Sequence, residues 1–307
     1  MSDQTFEQLY KKLLLYAPDL PLQLAKEFIN TSYSRTLSAY EWYSLRTASA
    51  FYVAAPYSTG TVTVTNGSTT VTGSGTSWTS SMEGRQLIIG GQKPFYDIET
   101  VGGATSLTLR SAYTDVGAAG ITYSIDNVML ECPADFLTFL TVVDTSNSYR
   151  LHTGLSQDIL DTWDPARTRS TSPSALVAAP ISSSARGNLV RFEIWPRLGA
   201  AQHIPYRYVK RPALLSSVSD TPIFPVRGDV IKEGALAQLA LWPGTRENPN
   251  TYYAIEQHRM HEQRYRTELN KCWLDDQGIS PTDISYVEWE TYPWAPLDAE
   301  YLQTNFP

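Results

Sequence analysis

The sequence predicts an α+β protein with a helical core built from N- and C-terminal helices, an inserted small all-β domain and an extended C-terminal arm. Apolar residues recur at helical spacing near both ends of the chain. Between them, short β-branched and aromatic runs bounded by Gly, Asn, Ser and Pro predict a sandwich or barrel-like domain. The predicted segments are N-terminal helices 1–56, the inserted β-domain 57–126, a mixed strand and loop region 127–227, C-terminal helices 228–280 and the arm 281–307.

The N-terminal segment predicts three helices. Residues 3–16 place apolar side chains three and four positions apart, and a second helix is expected over about 21–33, with Pro21 in its first turn. A third helix is expected at 35–48, through "RTLSAYEWYSLR". Its aromatic residues are too many for a solvated helix, so they predict a core or interface position.

The stretch "TVTVTNGSTTVTGSGTSW", residues 61–78, predicts a β-hairpin rather than a flexible spacer. Asn66–Gly67 between two β-runs favours a two-residue type I′ turn, because both central residues of that turn need positive φ. This turn would pair Val62 with Val71. It would also sort the valines onto one face and the threonines onto the other, which a random Thr-rich spacer has no reason to do. An architectural role follows for the domain that it opens.

The middle segment carries weaker signals. Residues 127–144 fit a strand that runs into either a short helix or a further strand. The serine-rich stretch 166–188 predicts a long loop, which would be functional or mobile. Two strands follow, and the second alternates the buried-type residues Ile204, Tyr206 and Tyr208 with more polar neighbours.

Two helices are predicted toward the C-terminus. The first covers 229–242, with Asp229 as its expected cap. The second covers about 251–274 and is rich in Glu, Gln, His and Arg. A helix this polar packs on one side and faces solvent or a channel on the other. Its predicted apolar stripe is Tyr252, Ile255, Met260, Tyr265 and Leu269.

Composition indicates a subunit of a larger assembly. Aromatic residues make up 12% of the chain and charged residues only 18%. The net charge of −7 argues against a protein that grips nucleic acid by neutralising phosphates, but not against one that lines a passage for it. Four basic residues cluster on the long C-terminal helix. They predict either a solvated face with partners such as Glu262 and Glu268, or contacts with an acidic partner or with passing nucleic acid: Arg259, Arg264, Arg266 and Lys271.

No catalytic residue, cofactor site or metal site is predicted. Asp158, Asp161 and Asp164 lie near one short helix, where acids are usually only solvated. His258 and His261 are one turn apart, but no third and fourth metal ligands accompany them. The sequence also lacks a phosphate-binding glycine loop and a Cys-x-x-Cys pair.

The termini and cysteines fit a protein made in a reducing cytoplasm. The first twenty residues do not have the pattern of a signal peptide, and no apolar run approaches the ~20 residues of a membrane-spanning helix. Cys132 and Cys272 are far apart in the sequence and predict buried free thiols.

Two features resemble the head-to-tail adaptor (connector or head-completion) proteins of tailed bacteriophages. The first is the helical N-terminus combined with "DVIKEGALAQLALWPGTRENPNTYYAIEQHRMHEQRYRTEL", a helix, short loop and long helix. The second is the β-region that opens with "TGTVTVTNGSTTVTGSGTSW", which is similar to a module of several phage neck and virion proteins. Compact members of the family are mainly small helical bundles, and this chain departs from them by its β insertion and long middle region.

The resemblance implies a non-enzymatic structural protein of the virion neck, assembled in the host bacterial cytoplasm. It would form a ring of about twelve copies below the portal protein, extend the DNA channel and provide the platform for tail attachment. The implied partners are the portal protein, further copies of the chain, a tail or nozzle protein, and passing double-stranded DNA without sequence specificity. Neither a cofactor nor a membrane is implied.

The arm at 281–307 is the predicted contact segment for the portal or a neighbouring subunit. It has several prolines, no sustained periodicity, and aromatic residues that are costly to expose unless they dock. The predicted docking residues are Tyr286, Trp289, Tyr292, Trp294, Tyr301 and Phe306.

A second hypothesis belongs to a different class. The Thr-rich β-domain could bind glycans as part of a tail spike or adhesin. It would then expose aromatic and polar residues on that domain, and the protein would be a trimer.

Overall fold

The protein divides into two units in a computed structural model that describes residues 4–91, 93–184 and 187–279. The first, the helical unit, joins the described residues up to Arg46 with those from Arg211 onward. The second, the β unit, is Thr47–Lys210 and is folded from antiparallel strands.

The described chain contains five α-helices, four of them in the helical unit. They are α1 (Phe6–Leu14), α2 (Leu22–Leu37), α3 (Gln157–Trp163), α4 (Gly228–Leu239) and α5 (Ile255–Ile279). Thr5 begins α1 with a capping box, since its hydroxyl accepts from the Gln8 amide at 3.3 Å and the Gln8 side chain accepts from the Thr5 amide at 3.1 Å.

Fourteen strands are described. They are β1 (Arg46–Val53), β2 (Thr61–Val64), β3 (Thr70–Ser74), β4 (Gln86–Ile89), β5 (Phe95–Gly103), β6 (Ser106–Leu109), β7 (Ala118–Ile121), β8 (Tyr123–Asp126), β9 (Met129–Glu131), β10 (Phe136–Asp144), β11 (Tyr149–Arg150), β12 (Ala175–Ser184), β13 (Gly187–Trp195) and β14 (Gln202–Lys210).

The β unit contains three antiparallel sheets. Their strand orders are β1-β14-β10-β11, β12-β13-β9 and β7-β2-β3-β6-β5-β4-β8. β5 is long enough to serve two neighbours in the largest sheet, since its start pairs with β4 and its remainder with β6. The buried Gln86 lies near the junction of this sheet with β9, and its side-chain oxygen accepts from the Val128 and Met129 amides at 2.9 Å each.

The predicted fold class, a helical core with a small inserted β-domain, is wrong. The protein is mostly β, and its antiparallel structure curls as a half-barrel. The error lies largely in the middle segment, where strands β9 to β14 replace the expected mixture of strands and loops. The first residues of β12 are buried on both faces of the strand, so its sequence lacks the polar–apolar alternation that indicates a strand with one solvent-exposed face.

The stretch 166–188 is a segment in which the missing alternation led to a wrong prediction. It was expected to be a long loop, but Ala175–Ser184 is strand β12, paired along its length with β13. Leu176 faces one hydrophobic cluster, while Ala175 and Val177 face another. The predicted alternation on β14 is confirmed, since Ile204, Tyr206 and Tyr208 are buried.

The third predicted helix, 35–48, does not form. α2 ends at Leu37, where the Trp42 indole donates to the Leu37 carbonyl at 3.1 Å and so satisfies an acceptor of the last turn. A single 3₁₀ turn then leads into β1 at Arg46. β1 is paired with β14, so sheet formation overrides the helical periodicity of this segment.

The predicted hairpin forms, but its register differs by two residues. Val62 pairs with Gly73, not with Val71. Gly67 has φ +77° whereas Asn66 keeps a negative φ, so the turn has the positive φ only at its third position, as in type II. The turn of the hairpin is also hydrogen-bonded to a later segment of the β unit, since the Gly67 amide donates to the Tyr113 carbonyl at 2.8 Å. A shift of two preserves the faces, so Val62 and Val71 are still buried.

The helical unit has its own core, formed by apolar residues of α1, α2 and α4. Its fully buried members include Leu9, Ile29 and Leu239. Asp229 is not the cap of α4, as the sequence predicted. It lies inside the first turn, after Arg227 at the N-cap, and its carboxylate accepts from the Gln4 side chain at 3.3 Å.

Candidate functional site

The candidate site is the solvent face of α5, and its geometry is set by the opposite face. That inner face packs against α4, and its buried members recur at helical spacing. They are His261, Tyr265, Leu269, Cys272 and Asp276. Tyr265 and Leu269 confirm part of the predicted stripe, whereas Ile255 is 56% exposed and does not belong to it.

One anchor of α5 is an arginine clamp from α2. Arg35 donates to both carboxylate oxygens of Glu262, at 2.9 and 2.6 Å, and its guanidinium lies 4.5 Å from the centre of the Tyr265 ring. The hydrogen bonds from Arg35 lower the pKa of Glu262 to about 2. Glu262 is therefore ionised at neutral pH and holds α5 against α2.

A second anchor is a buried polar pair between α4 and α5. His261 Nδ1 lies 2.7 Å from a Glu233 carboxylate oxygen, and its Nε2 is hydrogen-bonded to the Tyr252 hydroxyl. His258 donates from Nδ1 to the Ala237 carbonyl at 2.9 Å. The two histidines are therefore occupied by separate helix-packing contacts. In the described part of the chain, no group of three or more His, Cys, Asp or Glu side chains is placed to hold a metal ion.

Asp276 forms a third anchor near the C-terminal end of α5. It is fully buried, and its carboxylate accepts from the backbone amides of Tyr43, at 2.5 Å, and Ser44, at 3.0 Å. These amides belong to the start of the 3₁₀ turn after α2, which has no side-chain cap of its own. A carboxylate is well suited to that position because the first amides of a helical turn have no acceptor within it.

Close backbone approach completes the packing at Gly234 of α4. A Cβ added there would lie 2.1 Å from the Ser32 Oγ on α2 and 3.0 Å from Tyr265 Cδ2 on α5. Only glycine allows the three helices to meet at this distance. α5 is thus held rigidly by α2 and α4 along its inner face.

The outer face of α5 carries the four basic residues singled out in the sequence, and all four are exposed: Arg259, Arg264, Arg266 and Lys271. Successive helical residues are rotated by about 100°, so Arg259 and Arg266 lie on one line and Arg264 and Lys271 on another. Both lines lie outside the buried stripe, on opposite flanks of the helix, each roughly 100–120° from the centre of the stripe.

Two of these four cations are paired within the helix. Arg266 donates to Glu262 at 3.1 Å, and Lys271 donates to Glu268 at 2.5 Å, which are the glutamate partners that the solvated-face hypothesis named. Arg259 and Arg264 form no ion pair with any described carboxylate. Arg266 and Lys271 therefore fit the solvated-face hypothesis, whereas contact of Arg259 and Arg264 with a partner stays a prediction.

The predicted docking residues of the arm cannot be placed beside this face, because Tyr286, Trp289, Tyr292, Trp294, Tyr301 and Phe306 all lie outside the described residues.

Comparison with known proteins adds no assignment: no protein-family model matches the chain, and no curated protein matches it. Function therefore has to be inferred from the surfaces and contacts of the molecule itself.

Two of the three aspartates near α3 have structural contacts, whereas Asp158 is exposed, as expected. Asp164 is buried and accepts from the Trp195 indole at 3.1 Å, and Asp161 accepts from Arg167 at 2.6 Å. Arg167 also lowers the pKa of Asp161. Asp161 and Asp164 organise the turn after α3, and this was not predicted because Arg167, which contacts both residues, follows the helix.

The cysteines offer no reactive thiol. Both Cys132 and Cys272 are free and buried, as predicted. Burial raises the pKa of Cys132 to about 12 and also raises that of Cys272, so neither forms the nucleophilic thiolate at neutral pH.

Among the described helices, none has both the length and the apolar character needed to cross a membrane.

The anchoring residues of α5 were missing from the sequence-based site. His261 and Asp276 occupy positions of the buried stripe but are polar, so a search for apolar periodicity passes over them. A signal was available in their spacing, because His261, Tyr265, Cys272 and Asp276 share one helix face when plotted at 100° per residue.

Proposed function

We propose that the protein is a structural subunit of a tailed-phage virion, a head-to-tail adaptor that forms a ring below the portal, extends the DNA channel and provides a platform for the tail. The observation that carries the proposal is the division of α5 into a rigidly anchored inner face and a cationic outer face. The proposal does not rest on a helical-bundle fold, since the protein is mostly β.

A channel that passes DNA must not hold it. Each cation that neutralises a phosphate steepens the salt dependence of binding, and proteins that grip duplexes use many such contacts. Here Glu262 and Glu268 already pair two of the four cations, and the net charge of the chain is −7. Contacts from Arg259 and Arg264 alone would be weak and without sequence specificity, which suits DNA that slides.

The anchoring of α5 supports the same role. Arg35, Glu233 and Gly234 fix the helix from two neighbours, so its exposed cationic flanks are held in fixed positions. In a closed ring each copy would present the same flank at the same depth of the channel. The aromatic residues of the arm, such as Trp289 and Trp294, would serve as anchors in pockets of the portal.

Images of single particles test the proposal directly. The purified full-length protein is imaged alone and with a portal protein, and a ring of about twelve copies on the portal is expected. Trp289→Ser combined with Trp294→Ser should weaken portal binding by about thirtyfold or more, if these residues are interface anchors. A protein that remains monomeric or trimeric with portal present would overturn the proposal.

The channel contact has its own matched test. Arg259→Gln with Arg264→Gln removes the unpaired cations, while Arg266→Gln with Lys271→Gln removes the paired ones. The first variant should lose the weak low-salt affinity for duplex DNA in the assembled ring, and the second should retain most of it. Equal losses of DNA affinity in both variants would contradict the proposal that Arg259 and Arg264 of α5 contact DNA in the channel.

One expectation of the glycan-binding alternative is not met in the described β-region. It required exposed aromatic residues on the β-region at 57–126, yet the described aromatics there are buried or half-buried. They are Tyr57, Trp78, Phe95, Tyr96, Tyr113 and Tyr123. Val116, at 79% exposure, is the large apolar residue that this region does expose.

A further inference from the structure

A groove of about 1080 Å³ opens on the helical unit, between α1 and the segment that leads into α4. Its two walls expose large apolar side chains, since Leu15 is 80% exposed and Phe224 is 59% exposed. Exposed apolar residues that line a polar-rimmed groove are typical of a surface that receives a partner.

The groove also presents cations on its α1 wall. Lys12 hydrogen-bonds to the Gln4 side chain at 2.8 Å and has no described carboxylate within ion-pair distance. Lys11 pairs with Glu7, but this pair is exposed and therefore weak. The chemistry that fits is a peptide that combines aromatic residues for Leu15 and Phe224 with carboxylates for Lys11 and Lys12.

One segment of this chain has that chemistry. Residues 280–307 contain five Asp or Glu residues, no Lys, Arg or His, and six large aromatic residues. In "SYVEWETYPW", carboxylates and aromatic rings alternate closely. The charged residues that line the groove are Lys11, Lys12, Arg227, Asp229 and Asp275, and Asp275 is paired with Arg227 while Asp229 is paired with Lys232. An acidic aromatic peptide therefore complements Lys12 in charge and the walls of the groove in apolar surface.

The chain also leaves the helical unit beside the groove. Asp275 of α5 lines it and forms an ion pair with Arg227 on the same surface. α5 ends at Ile279, about 6 Å further along the helix axis than Asp275, and the acidic segment follows Ile279 directly in the sequence. A tethered segment that starts at the edge of its binding site has a high effective concentration there, on the order of millimolar.

We infer that, in the free protein, residues 280–307 bind the groove between Leu15 and Phe224 of the same chain. The aromatic side chains cover the exposed apolar walls, and the carboxylates pair with Lys12 and Lys11. This contact is intramolecular and precedes any assembly, so it holds independently of the proposed adaptor function.

Photo-crosslinking in the full-length protein tests the inference. Leu15 is replaced by a benzophenone amino acid, and crosslinked peptides are identified by mass spectrometry. Crosslinks from position 15 to peptides within 280–307 of the same chain are expected. The matched control carries the same probe at Leu241, which is 47% exposed in the same unit and does not line the groove, and it should give none.

A mixture of isotope-labelled and unlabelled protein separates the possible occupants. Crosslinked pairs of mixed mass would assign the groove to a second copy and overturn the intramolecular contact, and crosslinks to other parts of the chain, or none to 280–307, would overturn it as well.

Charge variants provide a second readout. Lys12→Glu should reduce the crosslink yield several-fold, and the wild-type yield should fall as salt is raised. Lys26→Glu changes a similarly half-buried lysine away from this groove and should leave the yield unchanged. Unaltered thermal unfolding of both variants ensures that a lost crosslink reflects the contact. Equal yields from Lys12→Glu and wild type would refute the charge pairing.

Discussion

Arg167 and Glu193 form an ion pair in which both side chains are 1% exposed, with the Arg167 Nε donating to a Glu193 oxygen at 2.7 Å. The same guanidinium also donates to the carbonyls of Leu160 and Asp164, at 2.9 and 2.5 Å. Arg167 adopts φ +54°, which is unusual for a residue other than glycine. The pair therefore fixes the turn that follows α3 inside the β unit.

Replacing one partner of this ion pair should lower the free energy of unfolding more than replacing both partners by apolar residues. Glu193→Ala removes the buried one of the two carboxylates that pair with Arg167 and should lower the free energy of unfolding by about 3 kcal/mol. Glu193→Leu combined with Arg167→Met should cost less than Glu193→Ala alone, because no unpaired charge remains. Denaturant unfolding measures both. If the double variant were less stable than Glu193→Ala, the destabilisation could not be assigned to the Arg167 charge that Glu193→Ala leaves buried.

The clamp between Arg35 and Glu262 predicts a stability difference that depends on pH. Glu262 has a folded-state pKa of about 2 against an ordinary value of 4.5. Its contribution is therefore fully present above about pH 4.5 and is lost as the pH falls through about 2. Arg35→Met should cost roughly 1 kcal/mol at pH 7, since Arg35 is 46% exposed, and the difference from wild type should shrink below pH 4.5.

Urea unfolding at pH 7, 4 and 3 tests this trend. Arg266→Met is the control, because it removes the other Glu262 partner from a side chain that is 74% exposed, and its effect should be smaller. A difference for Arg35→Met that stays constant with pH would assign its effect to packing on Tyr265 instead of to the carboxylate.

Gly234→Ala should be destabilising by about 1–3 kcal/mol, because the new Cβ would overlap Ser32 Oγ at the meeting of α2 and α4. Ser32→Ala alone should be nearly neutral or stabilising, since its buried hydroxyl has no hydrogen-bond partner. The double variant should recover part of the loss, giving a coupling of more than about 0.5 kcal/mol.

Gly278→Ala provides the matched helical control. Gly278 lies in α5, and no atom of the described residues comes within 4 Å of an added Cβ, so alanine should stabilise the helix by up to about 1 kcal/mol. Thermal or urea unfolding of the four variants decides the matter. Strictly additive effects of Gly234→Ala and Ser32→Ala would show that the overlap is absorbed elsewhere.

Asp276→Ala should release the segment after α2 from α5. Two part-buried amides, those of Tyr43 and Ser44, would lose their acceptor, at a cost of about 1–3 kcal/mol. Hydrogen exchange should show faster exchange of these two amides. Asp275→Ala, one residue away but in a pair 39% exposed, should cost less than about 1 kcal/mol and leave those amides protected. Equal protection in both variants would remove Asp276 from this role.

The helices and strands that could be predicted from the sequence are those with one solvent-exposed face and one buried face. α1, α2 and the alternation of β14 followed from periodicity, since exposed and buried positions differ in composition there. β12 was not revealed, because Leu176 and Val177 are buried on opposite faces and its C-terminal half is rich in serine. The end of α2 was also misplaced, since the Trp42 indole that caps it comes from beyond the helix.

The candidate site was predictable on its outer face and not on its inner face. Four exposed cations on one helix can be counted in the sequence, and all four are exposed. Their pairing partners on α5, Glu262 and Glu268, were also foreseeable at helical spacing. The clamp from Arg35 was not, because that residue precedes Glu262 by more than two hundred positions and no local pattern joins them.

The hairpin at Asn66–Gly67 has a consequence for how its pairing is chosen. Either register would bury Val62 and Val71, so hydrophobic burial does not distinguish them. The choice falls to polar contacts at the tip, where Asn66 donates to the carbonyls of Thr114 and Asp115 at 3.1 and 3.0 Å. The register of this short hairpin is therefore selected in part by residues almost fifty positions away in the sequence.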